Sequence, residues 1–172
     1  MRKNTAQPCS EKEIYDFTLN LIKERGVELE EIAELTMYLQ KDYYPDITLE
    51  ECLSHIQQVL HKREVQNAVM TGIQLDVLAE KNLLEGPLQK LILHDENLYG
   101  VDEILSVAIL NVYGSIGLTN YGFIDRVKPG VLARLNNKQS GKIHTFLDDL
   151  VGAIAASAAA RLAHNRKCAQ EK

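Results

Sequence analysis

The sequence predicts an all-α fold: a compact multi-helix domain with a C-terminal helix, rich in small residues, packed in the core. Three observations predict it. Apolar residues recur at helical spacing along most of the chain, as in Ile14, Phe17, Leu21 and Ile22. Capping signatures open several of these runs. No stretch alternates between apolar and polar convincingly enough to be a strand. The 172 residues suit one domain. The whole chain, 1–172, reads as a single unit, with helical hairpins over 1–85 and a second half over 98–166 that carries an acidic site.

The elements follow in order. Ser10 with Glu13 makes a capping box, and Gly26 is a natural stop for the helix it opens. A second helix covers Leu29 to Lys41 and ends at Tyr43-Tyr44-Pro45-Asp46. Thr48 and Glu51 form another box, opening a third helix through Cys52, Ile56 and Leu60. The charged run His61 to Glu64 leads into a fourth, through Val69, Ile73 and Val77. Gly86-Pro87 and His94-Asp95-Glu96-Asn97 then break the chain. From Val101 one strong apolar face begins. Tyr113 to Gly117 is expected to continue it and Asn120-Tyr121-Gly122 to interrupt it. Asp125 to Gly130 is a bend, in which Pro129 should push Lys128 toward extended backbone. A short helix to Leu135, a loop from Asn136 to Gly141 and a last helix from about Ile143 to His164 complete the chain.

Composition excludes several functions. The net charge of −5 and the lack of a basic stripe argue against nucleic-acid binding. Cys9, Cys52 and Cys168 form no CxxC pair and no disulfide framework, which suits a reducing, cytoplasmic setting. The N-terminus lacks the apolar region of a secretory signal. Leu150 to Ala160 is about half of the ~20 residues a membrane span needs, so peripheral contact is the most a membrane is expected to offer.

The last helix has two kinds of face when its residues are set at ~100° intervals. Ile143, Phe146, Leu147, Leu150, Ile154 and Arg161 share one side; Thr145, Asp148, Gly152, Ala156 and Ala159 share the other, with Asp149 beside them. Small residues permit close helix approach, so two carboxylates stand at the start of a helix buried on both sides. Buried carboxylates need a cation, donors or protons. Asp148 admits two readings, since Thr145 and Asp148 also match a capping box. Asp149 lies past the capping position. Asp102 and Glu103 open a helix, where acids favour the dipole, and Glu103 also shares a stripe with Gly114 and Gly117. His144 and Asp148 have metal-compatible spacing, although a lone His at a helix entry is usually a surface residue. Lys128 suits either a phosphate contact or a solvated bend. Gly114-Ser115-Ile116-Gly117 lacks the strand and the Lys-Ser/Thr of a phosphate loop. No phosphatase cysteine pattern and no G-x-S-x-G elbow is present, which leaves carboxylate-held metal as the route to any phosphoester cleavage. The rival reading is a non-catalytic helical protein whose acids bind an ion structurally or stabilise a homo-oligomer, for which Ala/Gly-rich helix faces are suited.

Phe123-Ile-Asp125-Arg-Val-Lys128-Pro129, followed by Gly141-Lys-Ile-His-Thr-Phe-Leu-Asp148-Asp149-Leu-Val-Gly152, resembles the C-terminal half of the phosphatidylglycerophosphatase A family. The pattern is most similar to its short soluble Gram-positive branch, the low temperature requirement C proteins, and extends through Val101-Asp-Glu-Ile and Tyr113-Gly-Ser-Ile-Gly. The resemblance implies a Mg²⁺-dependent phosphatase acting on phosphatidylglycerophosphate in phospholipid synthesis. It also implies that Asp125, Asp148 and Asp149 hold the metal, with Asp102 and Glu103 as further ligands, and that Asp149, Asp125 and Lys128 are catalytic, Lys128 touching phosphate. The partner would be a phosphorylated small molecule or phospholipid head group. The Gly-Ser-Gly-Leu-Ser-Pro motif of the membrane-bound members has no N-terminal counterpart here, and hydrophobic spans are missing as well.

Overall fold

Residues 150–160 carry no charge and little bulk, so a helix built from them can be approached closely from every side. The computed structural model describes residues 9–137 and 141–170, with side chains through Cys168, and this helix is its centre. Among the described residues the order is α1 (Glu11–Glu24), α2 (Leu29–Gln40), α3 (Leu49–Leu60), α4 (Arg63–Glu80), α5 (Pro87–Leu93), α6 (Val101–Leu110), α7 (Gly114–Val127), α8 (Val131–Leu135) and α9 (Leu147–Gln170), with no strand. α9 packs against α2, α3, α4, α6, α7 and α8, and every residue from 150 to 160 is buried. The small-residue face expected to serve subunit packing is therefore filled within the chain. A second copy would need another surface, such as exposed Ile104 and Phe123 on α6 and α7. No described helix is long and apolar enough to cross a membrane.

Local chemistry explains the outer helices. The Ser10 hydroxyl accepts from the Glu13 amide and the Glu13 carboxylate accepts from the Ser10 amide, which completes the box at α1. Gly26, at φ +82°, takes the left-handed conformation that ends α1. At α3 only half of the second box forms. Thr48 accepts from the Glu51 amide, but Arg166 of α9 draws the Glu51 carboxylate away at 2.5 and 2.9 Å.

Several expected boundaries move. Pro87 opens α5 instead of only breaking the chain, because the first helical position needs no amide donor. The break in the second half falls at Asn111 to Tyr113, before Gly114 (φ +72°), and α7 runs unbroken through Asn120-Tyr121-Gly122. Asp125 is the third-last residue of α7, not part of a bend. Lys128 is left-handed (φ 48°, ψ 53°) rather than extended, since its amide closes α7 on the Ile124 carbonyl at 2.7 Å. The expected loop from Asn136 to Gly141 lies partly outside the described residues. α9 starts at Leu147, later than expected, because Ile143 to Phe146 are held in another shape by α4 and α5.

Candidate functional site

α4 fixes where α9 begins. At Gly72 the two helices nearly touch: a Cβ there would lie 2.6 Å from Leu150 Cδ1 and 2.9 Å from Phe146 Cβ. One turn on, the fully buried Asp76 accepts from the amides of Phe146 (3.1 and 3.3 Å) and Leu147 (3.1 Å), capping α9 from a different helix. Burial pushes the Asp76 carboxyl well above the ordinary carboxylate range, and the two amides pull it only part of the way back. Glu80, a further turn on, accepts from the Ile143 amide at 2.7 Å and pairs with Arg25, which also donates to the Ile143 carbonyl. The Thr145 hydroxyl donates to the Ile92 carbonyl at 2.7 Å, so the expected Thr145–Asp148 capping box does not form. Asp148 and Asp149 lie in the first turn of α9 without capping it.

Those two carboxylates face a polar cleft of about 190 Å³. The sequence candidates Asp102, Glu103, Asp125, Lys128, Asp148 and Asp149 all line it, so the structure brings the whole set together. Asp95 and Glu96, read from the sequence only as a chain break, line it as well. His144 does not. It is half-buried beside Arg25, and burial with that guanidinium pushes it down to about 4. Glu103 is exposed rather than pressed into a helix contact.

Seven carboxylates thus share the cleft with one lysine. The Lys128 ammonium donates to Asp125 at 2.6 Å and Asp148 at 2.9 Å and stands 3.7 Å from Asp149. Burial pulls the ammonium down, but Asp148 and Asp125 outweigh it and hold Lys128 above the ordinary lysine range. Burial raises Asp148, with Lys128 drawing it back. Asp149 is pushed up to about 8 by burial and by Asp148, because it receives the least from the lysine. Asp102 is raised by burial, although its own carboxylate accepts from the Glu103 amide at 3.0 Å. Left-handed backbone at a lysine preceding proline is strained, and such strain concentrates at functional sites. Asp95, which also lines the cleft, is left-handed as well (φ 50°).

An all-oxygen donor set with surplus buried negative charge suits a hard divalent cation. As the side chains stand, no three potential ligands among the described residues converge on one point. The ammonium occupies the centre instead, bridging Asp125 and Asp148 as a cation would.

The model of a family described as phosphatidylglycerophosphatase A matches residues 20–164, which takes in α4, the cleft and most of α9. The chain belongs to the phosphatidylglycerophosphatase A family. Among its relatives, the uncharacterized protein YutG of Bacillus subtilis is 60% identical over 146 residues, covering 85% of this chain and 88% of that one. The crystal structure of the low temperature requirement C protein from Listeria monocytogenes is similar at TM-score 0.89 and 57% identity, covering 92% of this chain and 99% of that chain. A protein of unknown function from Bacillus stearothermophilus matches at TM-score 0.86 and 60% identity, over 88% and 94% of the two chains.

Sequence reasoning missed Asp76 and Glu80. The signal was an acid interrupting the apolar stripe of Val69, Ile73 and Val77, with a second acid four residues later.

Proposed function

We propose that this family member is a Mg²⁺-dependent phosphomonoesterase, acting on phosphatidylglycerophosphate or a related phosphomonoester. The observation that carries the reading is the gathering of Asp125, Asp148 and Asp149 around one ammonium in a polar cleft that Asp102 also lines. Asp125, Asp148 and Asp149 would hold the ion, with Asp102 and Glu103 at the rim. The ion's chemistry is Lewis-acid: it polarises the phosphoryl group and lowers the pKa of a bound water. Burial and Asp148 hold Asp149 protonated in the metal-free cleft; with the ion bound it would be ionised and would take the proton of the attacking water. The water oxygen would bond to phosphorus as the ester P–O bond breaks, and Asp149 would pass the proton it took from the water to the leaving alcohol oxygen. Lys128 would leave its aspartates to meet the phosphate and stabilise the developing charge.

Exposed Leu98 and Ile104 (92% and 67%) flank the acidic start of α6, which supports an amphiphile over a small polar ester. With no described helix able to cross a bilayer, such a substrate would be met at the membrane surface. Phosphate release from phosphatidylglycerophosphate in mixed micelles and from soluble phosphomonoesters, with Mg²⁺ and with chelator, tests this. Release is expected only with Mg²⁺ and faster for the lipid. No release from either class refutes it. The Lys128 bridges favour one other reading, a non-catalytic cluster in which the lysine is the permanent counter-ion.

A further inference from the structure

Tyr121 lies on α7, four residues before Asp125, against α9. Gly152 admits it: a Cβ there would meet the Tyr121 ring at 3.4 Å. The small residue that follows Asp149 by less than one turn therefore opens a slot for one aromatic ring. Tyr121 is 8% exposed, and its hydroxyl is buried with no hydrogen-bond partner among the described residues. The Ser106 hydroxyl of α6 is buried and unpartnered as well. Although no hydrogen bond of ordinary length is made, burial first, then the Asp149 and Asp125 charges and the nearby Asp149 carboxylate, push the phenol far above the ordinary tyrosine range, and the Ser106 hydroxyl pulls it part of the way back. Packing alone does not call for that oxygen, since phenylalanine fills the same slot without stranding a donor.

We propose that Tyr121 is a positioning residue of the acidic cleft, its hydroxyl donating to the Asp149 carboxylate and fixing the direction in which that carboxylate meets a cation. Asp149 needs such a partner. It stands 3.7 Å from the Lys128 ammonium, beyond the distances at which Asp125 and Asp148 are bonded to it. With Asp125, Asp148 and Asp149 holding a cation and the lysine drawn away, the buried phenol would be the donor left to Asp149 on its inner side. Ser106 can in turn donate to the phenol oxygen, completing a chain from α6 through α7 to α9. The proposal rests on the reading of the cleft as a divalent-cation site.

Mg²⁺ titration of the wild type and of Tyr121→Phe by calorimetry tests it, with both proteins melted free of metal. The variant is expected to bind Mg²⁺ about tenfold or more weakly, the usual worth of a hydrogen bond to a charged group. Its metal-free melting temperature is expected to be unchanged or higher, because an unpartnered buried hydroxyl is gone. A merely structural hydroxyl gives the reverse, a lower metal-free melting temperature with unchanged affinity, and overturns the proposal. If the wild type binds Mg²⁺ but releases no phosphate, the phosphatase reading fails, while weaker binding by the variant still supports the role of Tyr121. A wild type that binds no Mg²⁺ overturns this proposal too.

Discussion

Asp76→Ala should unfold the entrance to α9 before it touches any cleft residue. The carboxylate is fully buried and serves two backbone amides, Phe146 and Leu147, at 3.1–3.3 Å. Alanine leaves both amides unpaired in a fully buried site. Each orphaned amide costs about 1–3 kcal/mol, offset in part because the buried carboxyl is itself poorly solvated. A net loss of about 2–4 kcal/mol follows, which for a chain of this size lowers the melting temperature by roughly 5–15 °C. The sign of the pH dependence is also fixed. The folded Asp76 carboxyl is raised above its unfolded value, so its contribution is complete below the ordinary carboxylate range and declines as pH rises. The difference between wild type and variant should therefore be largest near pH 4 and shrink toward neutrality. Urea unfolding followed by circular dichroism at several pH values measures it. A loss under about 0.5 kcal/mol at every pH would refute the assignment of Asp76 as the cap.

Gly72→Ala forces a methyl to within 2.6 Å of Leu150 Cδ1, and overpacking of this kind costs about 1–3 kcal/mol, read in the same urea experiment. Asp149→Asn should flatten the metal-free stability profile. The wild-type carboxyl, raised to about 8, contributes stability that is complete below about pH 4 and lost as pH rises through 8, so the variant should melt higher than wild type at pH 8 in chelator. Strong destabilisation instead, with no effect of Mg²⁺, would favour the non-catalytic cluster. Lys128→Met removes the ammonium that bridges Asp125 and Asp148; calorimetry should show tighter Mg²⁺ binding while phosphate release falls about 100-fold or more.

The all-α class, the caps of α1 and α3 and the central placement of the Ala-rich helix were legible because they rest on local spacing. Asp125, Asp148 and Asp149 were legible as a set through the family resemblance, and their surplus charge through the cost of burying acids beside small residues. The start of α9 was not, because its cap is supplied by Asp76, 70 residues away. Proximity of that kind leaves no local pattern. The left-handed backbone of Lys128 escaped for a similar reason. The rule that proline extends its predecessor was outweighed by the hydrogen bond that closes α7 and by two carboxylates waiting for the ammonium. Asp95 and Glu96 read only as part of a chain break, because tertiary packing and not local pattern brings them to the cleft.

The most direct test of the central claim is inorganic phosphate release from phosphatidylglycerophosphate by wild type and Asp149→Asn at saturating Mg²⁺, each checked for a native melting transition. The account predicts Mg²⁺-dependent release by the wild type and a loss of about 100-fold or more in the variant. Release that survives chelation, or a folded Asp149→Asn protein as fast as the wild type, would contradict it.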